Sequence, residues 1–86
     1  MSRREENESE ESITPDRTLN VIGLYCPEPI FRTKEEIENL EIGQVLEILV
    51  DDPAAEEDIT RWAKRTGHQL LKFEKDGRIL RFLIKK

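Results

Sequence analysis

The polar N-terminal segment is the feature that most limits what this chain can fold into. Six of its first seventeen residues are carboxylic acids, and only Ile13 could join a hydrophobic core. Such a segment cannot bury enough apolar surface to offset the entropy lost on ordering. We therefore predict a disordered acidic extension over residues 1–17 and one small domain over residues 18–86. That domain is near the lower size limit for folding without a disulfide or a metal.

The cysteine content and the charge restrict the possible functions. The chain has one cysteine, which excludes an intrachain disulfide and a multi-cysteine zinc site, and we expect no metal and no cofactor. The net charge of −5 argues against direct nucleic-acid binding, which normally uses a basic surface. No apolar stretch is long enough to span a membrane, and the acidic start is unlike a signal peptide. We expect a cytoplasmic protein without membrane or nucleic-acid partners.

Hydrophobic periodicity predicts the order βαβαββ. Strands are expected over residues 18–22, 45–50, 69–74 and 79–85, and helices over residues 27–40 and 54–66. The Asp76-Gly77 pair predicts a hairpin between the last two strands. Because a βαβ crossover is nearly always right-handed, both helices should cover the same face of the sheet. The predicted fold class is α/β, a two-layer sandwich of a four-stranded mixed sheet with two helices on one face.

The same patterns predict which side chains are buried. The second helix should face the core with a stripe at helical spacing, formed by Ala55, Ile59, Trp62, Ala63 and Thr66. On the uncovered face of the sheet, four apolar residues should be partly exposed, namely Leu49, Leu70, Ile79 and Leu83. Ordinary surface apolarity explains such residues more simply than a docking patch does.

Cys26 is the strongest candidate for a functional residue. It directly precedes Pro27, and proline is well tolerated at the first position of a helix. If Cys26 precedes the first helical turn, its sulfur faces the positive end of the helix dipole, which favours the thiolate. The Glu28 N–H is then the backbone donor expected to reach the sulfur. The alternative, a buried and inert cysteine, fits poorly with flanking prolines and a glutamate.

Several thiol chemistries conflict with the residues around Cys26. Cys26 and Arg32 have the spacing of cysteine phosphatases, but two intervening prolines cannot donate N–H groups to an oxyanion. Dithiol redox chemistry needs a resolving cysteine, which the chain lacks. A cysteine hydrolase needs a nearby base, and His68 should lie at the opposite edge of the sheet. A thiol that accepts a group from one protein and passes it to another remains, with sulfane sulfur as the obvious cargo.

The second helix begins as the first does. Asp52-Pro53 is equivalent to Cys26-Pro27, and Asp52 is predicted to cap the helix. Because the strands before the two helices should be parallel, Cys26 and Asp52 are expected at the same edge of the sheet. Recognition of a partner is the alternative role for Asp52.

The motif around Cys26 resembles that of the TusA (SirA-like) sulfur-carrier family. The resemblance extends over residues 19–85 and rests on the C-P-x-P motif, Lys34, the D-D-P-A segment at 51–54, Asp58-Ile59 and Gly67-His68. It implies a sulfurtransferase-type carrier, rather than a stand-alone enzyme, that holds a persulfide on Cys26. The implied donor is a cysteine desulfurase or a rhodanese-type protein, and an acceptor protein lies downstream, in tRNA 2-thiouridine synthesis, cofactor synthesis or sulfur metabolism.

By position in the motif, the resemblance implies supporting or partner-docking roles for Pro27, Glu28, Pro29, Lys34 and Asp52. The chain departs from the family at Asn20, where the family usually has aspartate. Two alternatives to a sulfur carrier stay open. They are a non-catalytic regulatory or interaction module that uses the same surface, and a thiol redox sensor.

Overall fold

A computed structural model describes residues 14–86. Its elements, in chain order, are β1 (Arg17–Asn20), α1 (Glu28–Glu38), β2 (Val45–Val50), α2 (Pro53–Thr66), β3 (Gln69–Asp76) and β4 (Ile79–Lys85). The predicted order βαβαββ and the α/β class are confirmed. The predicted disorder of residues 1–13 concerns residues outside this range. Asp16 and Arg17 belong to the folded part, because Asp16 exchanges two hydrogen bonds with Val45, both 2.8 Å long.

The four strands form one mixed sheet in the order β1-β2-β4-β3. β1 and β2 are parallel, and β4 pairs in antiparallel fashion with β2 and β3. The carboxyl ends of β1 and β2 therefore lie at the same edge of the sheet. Both β1 and β2 are followed by a helix, so the loops that begin α1 and α2 meet at that edge.

One face of the sheet and the two helices enclose the core. Three pairs across β2 and β4 are buried on this face: Leu46 with Ile84, Ile48 with Phe82, and Val50 with Leu80. From the helices, Ile37, Ile59 and Trp62 pack against them. The predicted stripe on α2 is correct except at Thr66, which is exposed and donates a hydrogen bond from its hydroxyl to the Trp62 carbonyl. Thr66 is the last residue of α2, where the helix no longer covers the sheet.

Leu83 is the one apolar residue of the opposite face whose predicted exposure is wrong. Its side chain is only 2% exposed. Leu83 pairs with Glu47 on one side and Lys72 on the other, and the hydrocarbon stems of long charged side chains readily cover an apolar neighbour. Leu49 and Ile79 are partly exposed on this face as predicted. The predicted place of Leu70 on this face is wrong, because Leu70 pairs with the buried Ile84 and packs against the core on the covered face.

A row of ionic contacts crosses this uncovered face. Arg81 lies at its centre and binds Glu47 on β2 and Glu74 on β3. Thr18 also donates a hydrogen bond to Glu47. The hydrogen bond from Arg81 is the main reason that the pKa of Glu47 and the pKa of Glu74 lie below their usual values, and the same contacts raise the pKa of Arg81.

The last two strands form the predicted hairpin, but its turn lies one residue later than the Asp76-Gly77 pair suggests. β3 continues to Asp76, which pairs with Ile79, so Gly77 and Arg78 are the two turn residues. Gly77 has a φ of +63°, in the region that glycine adopts at no steric cost. No helix in residues 14–86 is long and apolar enough to cross a membrane.

Candidate functional site

Cys26 lies in the segment between β1 and α1, residues 21–27, which we call the Cys26 loop. The loop begins at the buried Val21, whose N–H donates to the Leu49 carbonyl and continues the pairing of β1 with β2. It then turns at Gly23, which has a φ of +94°. Cys26 is an exposed free cysteine. Its sulfur is therefore reachable from solvent at the carboxyl edge of the parallel strands.

The predicted position of Cys26 directly before the first helical turn is wrong. α1 begins at Glu28 with Pro27 as its N-cap residue, and no side chain caps it. The Glu28 N–H, expected to reach the sulfur, instead donates to the Tyr25 carbonyl at 3.0 Å. Because Pro27 has no N–H, the first backbone donor of α1 is the Glu28 N–H, and the turn from Tyr25 to Glu28 uses it. Cys26 precedes the helix by one residue more than the sequence suggested.

Two carboxylates between β2 and α2 hold the Cys26 loop. Asp51 Oδ1 accepts a hydrogen bond from the Gly23 N–H at 2.9 Å, and Asp52 Oδ2 accepts one from the Cys26 N–H at 2.7 Å. Asp52 Oδ1 also accepts the Ala54 N–H at 3.0 Å, so the predicted helix cap is confirmed. Asp52 is only 6% exposed. Because its two oxygens accept separate hydrogen bonds, Asp52 caps α2 and at the same time links the start of α2 to the backbone of Cys26.

Asn20 supports the same loop from within. Its side-chain oxygen accepts a hydrogen bond from the Ile22 N–H at 3.0 Å, a turn that asparagine and aspartate both favour. An amide oxygen thus supplies the acceptor that an aspartate would supply at this position. The departure from the family pattern noted at Asn20 leaves the local hydrogen bond in place.

The other predicted site residues lie on α1, except Pro27, which directly precedes the helix. Pro29 is buried beneath the helix start, whereas Pro27 is exposed beside the thiol residue. Glu28 forms a hydrogen-bonded ion pair with Arg32, 3.2 Å from Oε1 to Nε. Lys34 lies almost two turns further along, half-buried, and makes no ion pair within residues 14–86. Glu28 and Pro27 thus adjoin Cys26 directly, while Lys34 lies further along the helix.

Three large exposed apolar residues lie in the Cys26 loop or in the first turn of α1, and the sequence patterns did not single them out. Ile22, Tyr25 and Phe31 are 42%, 56% and 56% exposed, and Ile42 is the fourth large apolar residue with such exposure in the described range. Phe31 lies in the first turn of α1, where its N–H donates to the Pro27 carbonyl. Helical periodicity marks residues that face the core, so it could not predict an exposed phenylalanine.

His68 is not part of this site. It follows α2 and precedes β3, whose first residue pairs with Lys85 at the edge opposite the Cys26 loop. Its ring instead packs against Trp62, with 5.1 Å between the ring centroids. Within residues 14–86 no group of three or more histidine, cysteine or acidic side chains is arranged to hold a metal ion.

Comparisons with known proteins agree on one family. The family model for sulfurtransferase TusA matches residues 17–86. A protein of Archaeoglobus fulgidus, provisionally named a sulfur carrier protein, is 51% identical over 71 residues, which cover 80% of this chain and 91% of the relative. A Bacillus subtilis protein with the same provisional name is 46% identical over 71 residues, covering 83% and 95%.

Two further relatives extend this comparison. An Aquifex aeolicus protein, again provisionally named a sulfur carrier, is 45% identical over 76 residues, but the match spans only 39% of its length. The crystal structure of a SirA-like protein from Desulfitobacterium hafniense superposes with a TM-score of 0.71 at 30% identity, covering 80% of this chain and 95% of that one. With a family model matched over nearly the whole described range, this chain belongs to the TusA family of sulfur carriers.

Proposed function

We propose that Cys26 carries sulfane sulfur as a persulfide, which it accepts from a donor protein and passes to an acceptor protein. The observation that carries this proposal is the exposure of the chain's only cysteine on a loop anchored at Gly23 and Cys26. A lone thiol cannot complete dithiol exchange within the chain. A persulfide, in contrast, needs only one cysteine.

The chemistry of loading balances without an oxidant. The Cys26 thiolate attacks the terminal sulfur of the donor's persulfide. A new S–S bond forms at Cys26 while the S–S bond of the donor breaks, and its electron pair leaves with the donor thiolate. Transfer to the acceptor repeats the step with Cys26 as the leaving thiolate. A leaving thiolate is also stabilised by solvent at an exposed position.

The surroundings of Cys26 suit approach by large partners. The Cys26 N–H is held by a carboxylate that is itself fixed at the start of α2, so the thiol residue keeps one backbone position while partners exchange. Tyr25 and Phe31 supply exposed aromatic area, which is enriched in protein interfaces. Pro27, Glu28, Pro29 and Lys34 are the supporting or docking positions proposed from the motif. The proposed donor is a cysteine desulfurase or rhodanese-type protein in the cytoplasm.

Intact-mass spectrometry tests the proposal. The chain is incubated with a cysteine desulfurase and cysteine, and we expect the mass of one added sulfur atom on wild type and none on Cys26→Ser. An equal adduct on Cys26→Ser would contradict the proposal.

A cellular assay of Cys26→Ser, read beside its partner binding, separates the carrier from an interaction module. Both hypotheses predict that Cys26→Ser still binds partners, but only the carrier hypothesis predicts loss of cellular function. A redox sensor would instead change its function on reversible oxidation of Cys26, without any sulfur adduct.

A further inference from the structure

A cleft of about 440 Å³ opens between the start of α2 and the β3–β4 hairpin, a volume within the range of cavities that bind small ligands. Tyr25, Pro53 and Leu80 supply its apolar surface. We call it the Tyr25 cleft. Leu80 is buried and belongs to β4, which lies between β2 and β3 in the sheet. Cys26 is not among the lining residues, so an occupant of this cleft need not take part in sulfur transfer.

The two walls of the cleft carry opposite charges. Asp51 and Glu56 line it from the end of β2 and the first turn of α2, whereas Lys75 and Arg78 line it from the hairpin. None of these four residues forms an ion pair within residues 14–86. Asp51 uses one carboxylate oxygen for the Gly23 N–H. The lining is therefore balanced in charge, yet its acids and its cations do not pair with each other.

The sheet explains why these opposite charges stay apart. Leu80 pairs with Val50 on β2 and with Lys75 on β3, so the three residues form one row across three strands. Neighbouring strands are about 4.8 Å apart, which puts the backbone of Lys75 about 10 Å from that of Val50. Asp51 directly follows Val50. Side chains that reach into the cleft from the two walls thus leave a gap between them, which a ligand with charges of both signs can bridge.

The lining disfavours ligands without both charges. A simple anion such as phosphate would gain the cations but face the acids on the other wall. A purely apolar ligand would remove charged groups from water without pairing them, which is unfavourable. An α-amino acid carries an ammonium group and a carboxylate on one carbon, and a guanidinium can bind a carboxylate through two parallel hydrogen bonds. Its side chain is left to contact the apolar surface of the cleft.

We propose that the Tyr25 cleft binds a free α-amino acid with an apolar side chain. The carboxylate of the ligand pairs with the cations of the hairpin, and its ammonium group pairs with the acids at the end of β2 and the start of α2. This site goes beyond the proposed function and does not depend on it, because no part of the binding uses the Cys26 thiol.

Three related ligands test the proposal by NMR titration of the isotope-labelled chain. L-leucine carries both charges, N-acetyl-L-leucine lacks the ammonium group, and L-leucine amide lacks the carboxylate. We expect L-leucine to shift the amide signals of Tyr25, Gly77 and Arg78 saturably, with a dissociation constant of about 1 mM, as suits so small a ligand. The other two ligands should bind at least about fivefold more weakly, because each leaves one wall of the cleft unpaired.

Charge-neutral variants show which group of the ligand each wall binds. Glu56→Gln should weaken L-leucine about fivefold but should not weaken N-acetyl-L-leucine, which has no ammonium group. Arg78→Gln should weaken L-leucine by a similar factor but should not weaken L-leucine amide. Glu35→Gln and Arg65→Gln are the matched controls, because both residues are exposed, lie outside the cleft and make no ion pair within residues 14–86. Both controls should bind L-leucine as wild type does.

The proposal is overturned if L-leucine causes no saturable shift at about tenfold above the expected dissociation constant, or shifts signals outside the cleft instead. Equal affinities for the three ligands would also reject it, since the paired charges would then play no part. Tighter binding of N-acetyl-L-leucine would identify an anion site in place of an amino-acid site. An equal loss of L-leucine binding in the control variants would assign the effect to the overall charge of the chain.

Discussion

Replacing Asp52 tests the connection between the Cys26 loop and α2. Asp52 Oδ1 accepts the Ala54 N–H and Oδ2 accepts the Cys26 N–H. Loss of an N-cap costs about 1 kcal/mol, and loss of a hydrogen bond to a charged group costs about 1.5–3 kcal/mol. Asp52 is only 6% exposed, so desolvation of its charge offsets part of that gain. We expect Asp52→Ala to lower the free energy of unfolding by about 2–3 kcal/mol.

The size of this effect is large for so small a domain. About seventy folded residues correspond to a total stability of roughly 4–10 kcal/mol. Asp52→Asn should cost about 1–2 kcal/mol, because an asparagine caps a helix nearly as well but has only one side-chain oxygen. Its amide nitrogen would then face the Cys26 N–H, donor against donor. We therefore expect the order wild type, Asp52→Asn, Asp52→Ala from most to least stable.

Urea unfolding with linear extrapolation measures these differences. Asp58→Ala is the matched control, since Asp58 lies on the same helix and makes no hydrogen bond or ion pair within residues 14–86. It should change the free energy of unfolding by less than about 0.5 kcal/mol. Hydrogen exchange at the Cys26 amide should become faster in Asp52→Ala than the loss of global stability explains. A value for Asp52→Ala equal to that of the control would refute the account of this contact.

Three other perturbations have expected outcomes. Arg81→Met should reduce the free energy of unfolding at neutral pH by less than about 1 kcal/mol. Arg81 lowers the pKa of Glu47 in the folded state, so the contact stabilises the fold above pH 4.5. This contribution is lost as the pH falls through the folded pKa of Glu47. Urea unfolding should therefore show that the difference in free energy of unfolding between Arg81→Met and wild type shrinks from pH 7 to pH 3. A difference that does not change with pH would contradict this. Gly67 ends α2 with a φ of +84°, so Gly67→Ala should lower the free energy of unfolding by about 1 kcal/mol and Gly67→Asn by less. Equal melting temperatures for wild type and both variants would contradict the left-handed cap. Phe31→Ala should slow sulfur loading while leaving stability within about 0.5 kcal/mol, whereas Ile42→Ala, 89% exposed, should change neither; equal loading rates for the two would argue against a docking role for Phe31.

The fold was largely predictable from local sequence signals. Apolar periodicity, the Asp52 cap and the Asp-Gly pair gave the order βαβαββ, because each is a short-range effect of backbone or burial. Leu83 could not be predicted in the same way. Its burial depends on Glu47 and Lys72, which lie on two different strands and become its neighbours only through the register of the sheet.

The candidate site was predictable in its residues but not in its contacts. The motif identified Cys26 and Asp52, and the parallel strands placed them at one edge. The Gly23 N–H donates to Asp51, 28 positions away, and the Cys26 N–H donates to Asp52, 26 positions away. No sequence spacing indicates such pairs. The helix start was misplaced because the turn at Tyr25 uses the Glu28 N–H. Tyr25 and Phe31 were missed since no pattern distinguishes an exposed docking residue from an ordinary surface one.

Cyanolysis of the loaded chain tests the central claim most directly. The chain is loaded by a desulfurase, freed of small molecules and treated with cyanide, which removes sulfane sulfur as thiocyanate and restores the thiol. We predict one thiocyanate for each loaded chain, a regenerated Cys26 that reloads, and none from Cys26→Ser. Thiocyanate from Cys26→Ser, or a loaded wild type that releases none, would contradict the assignment of Cys26 as the sulfur-carrying residue.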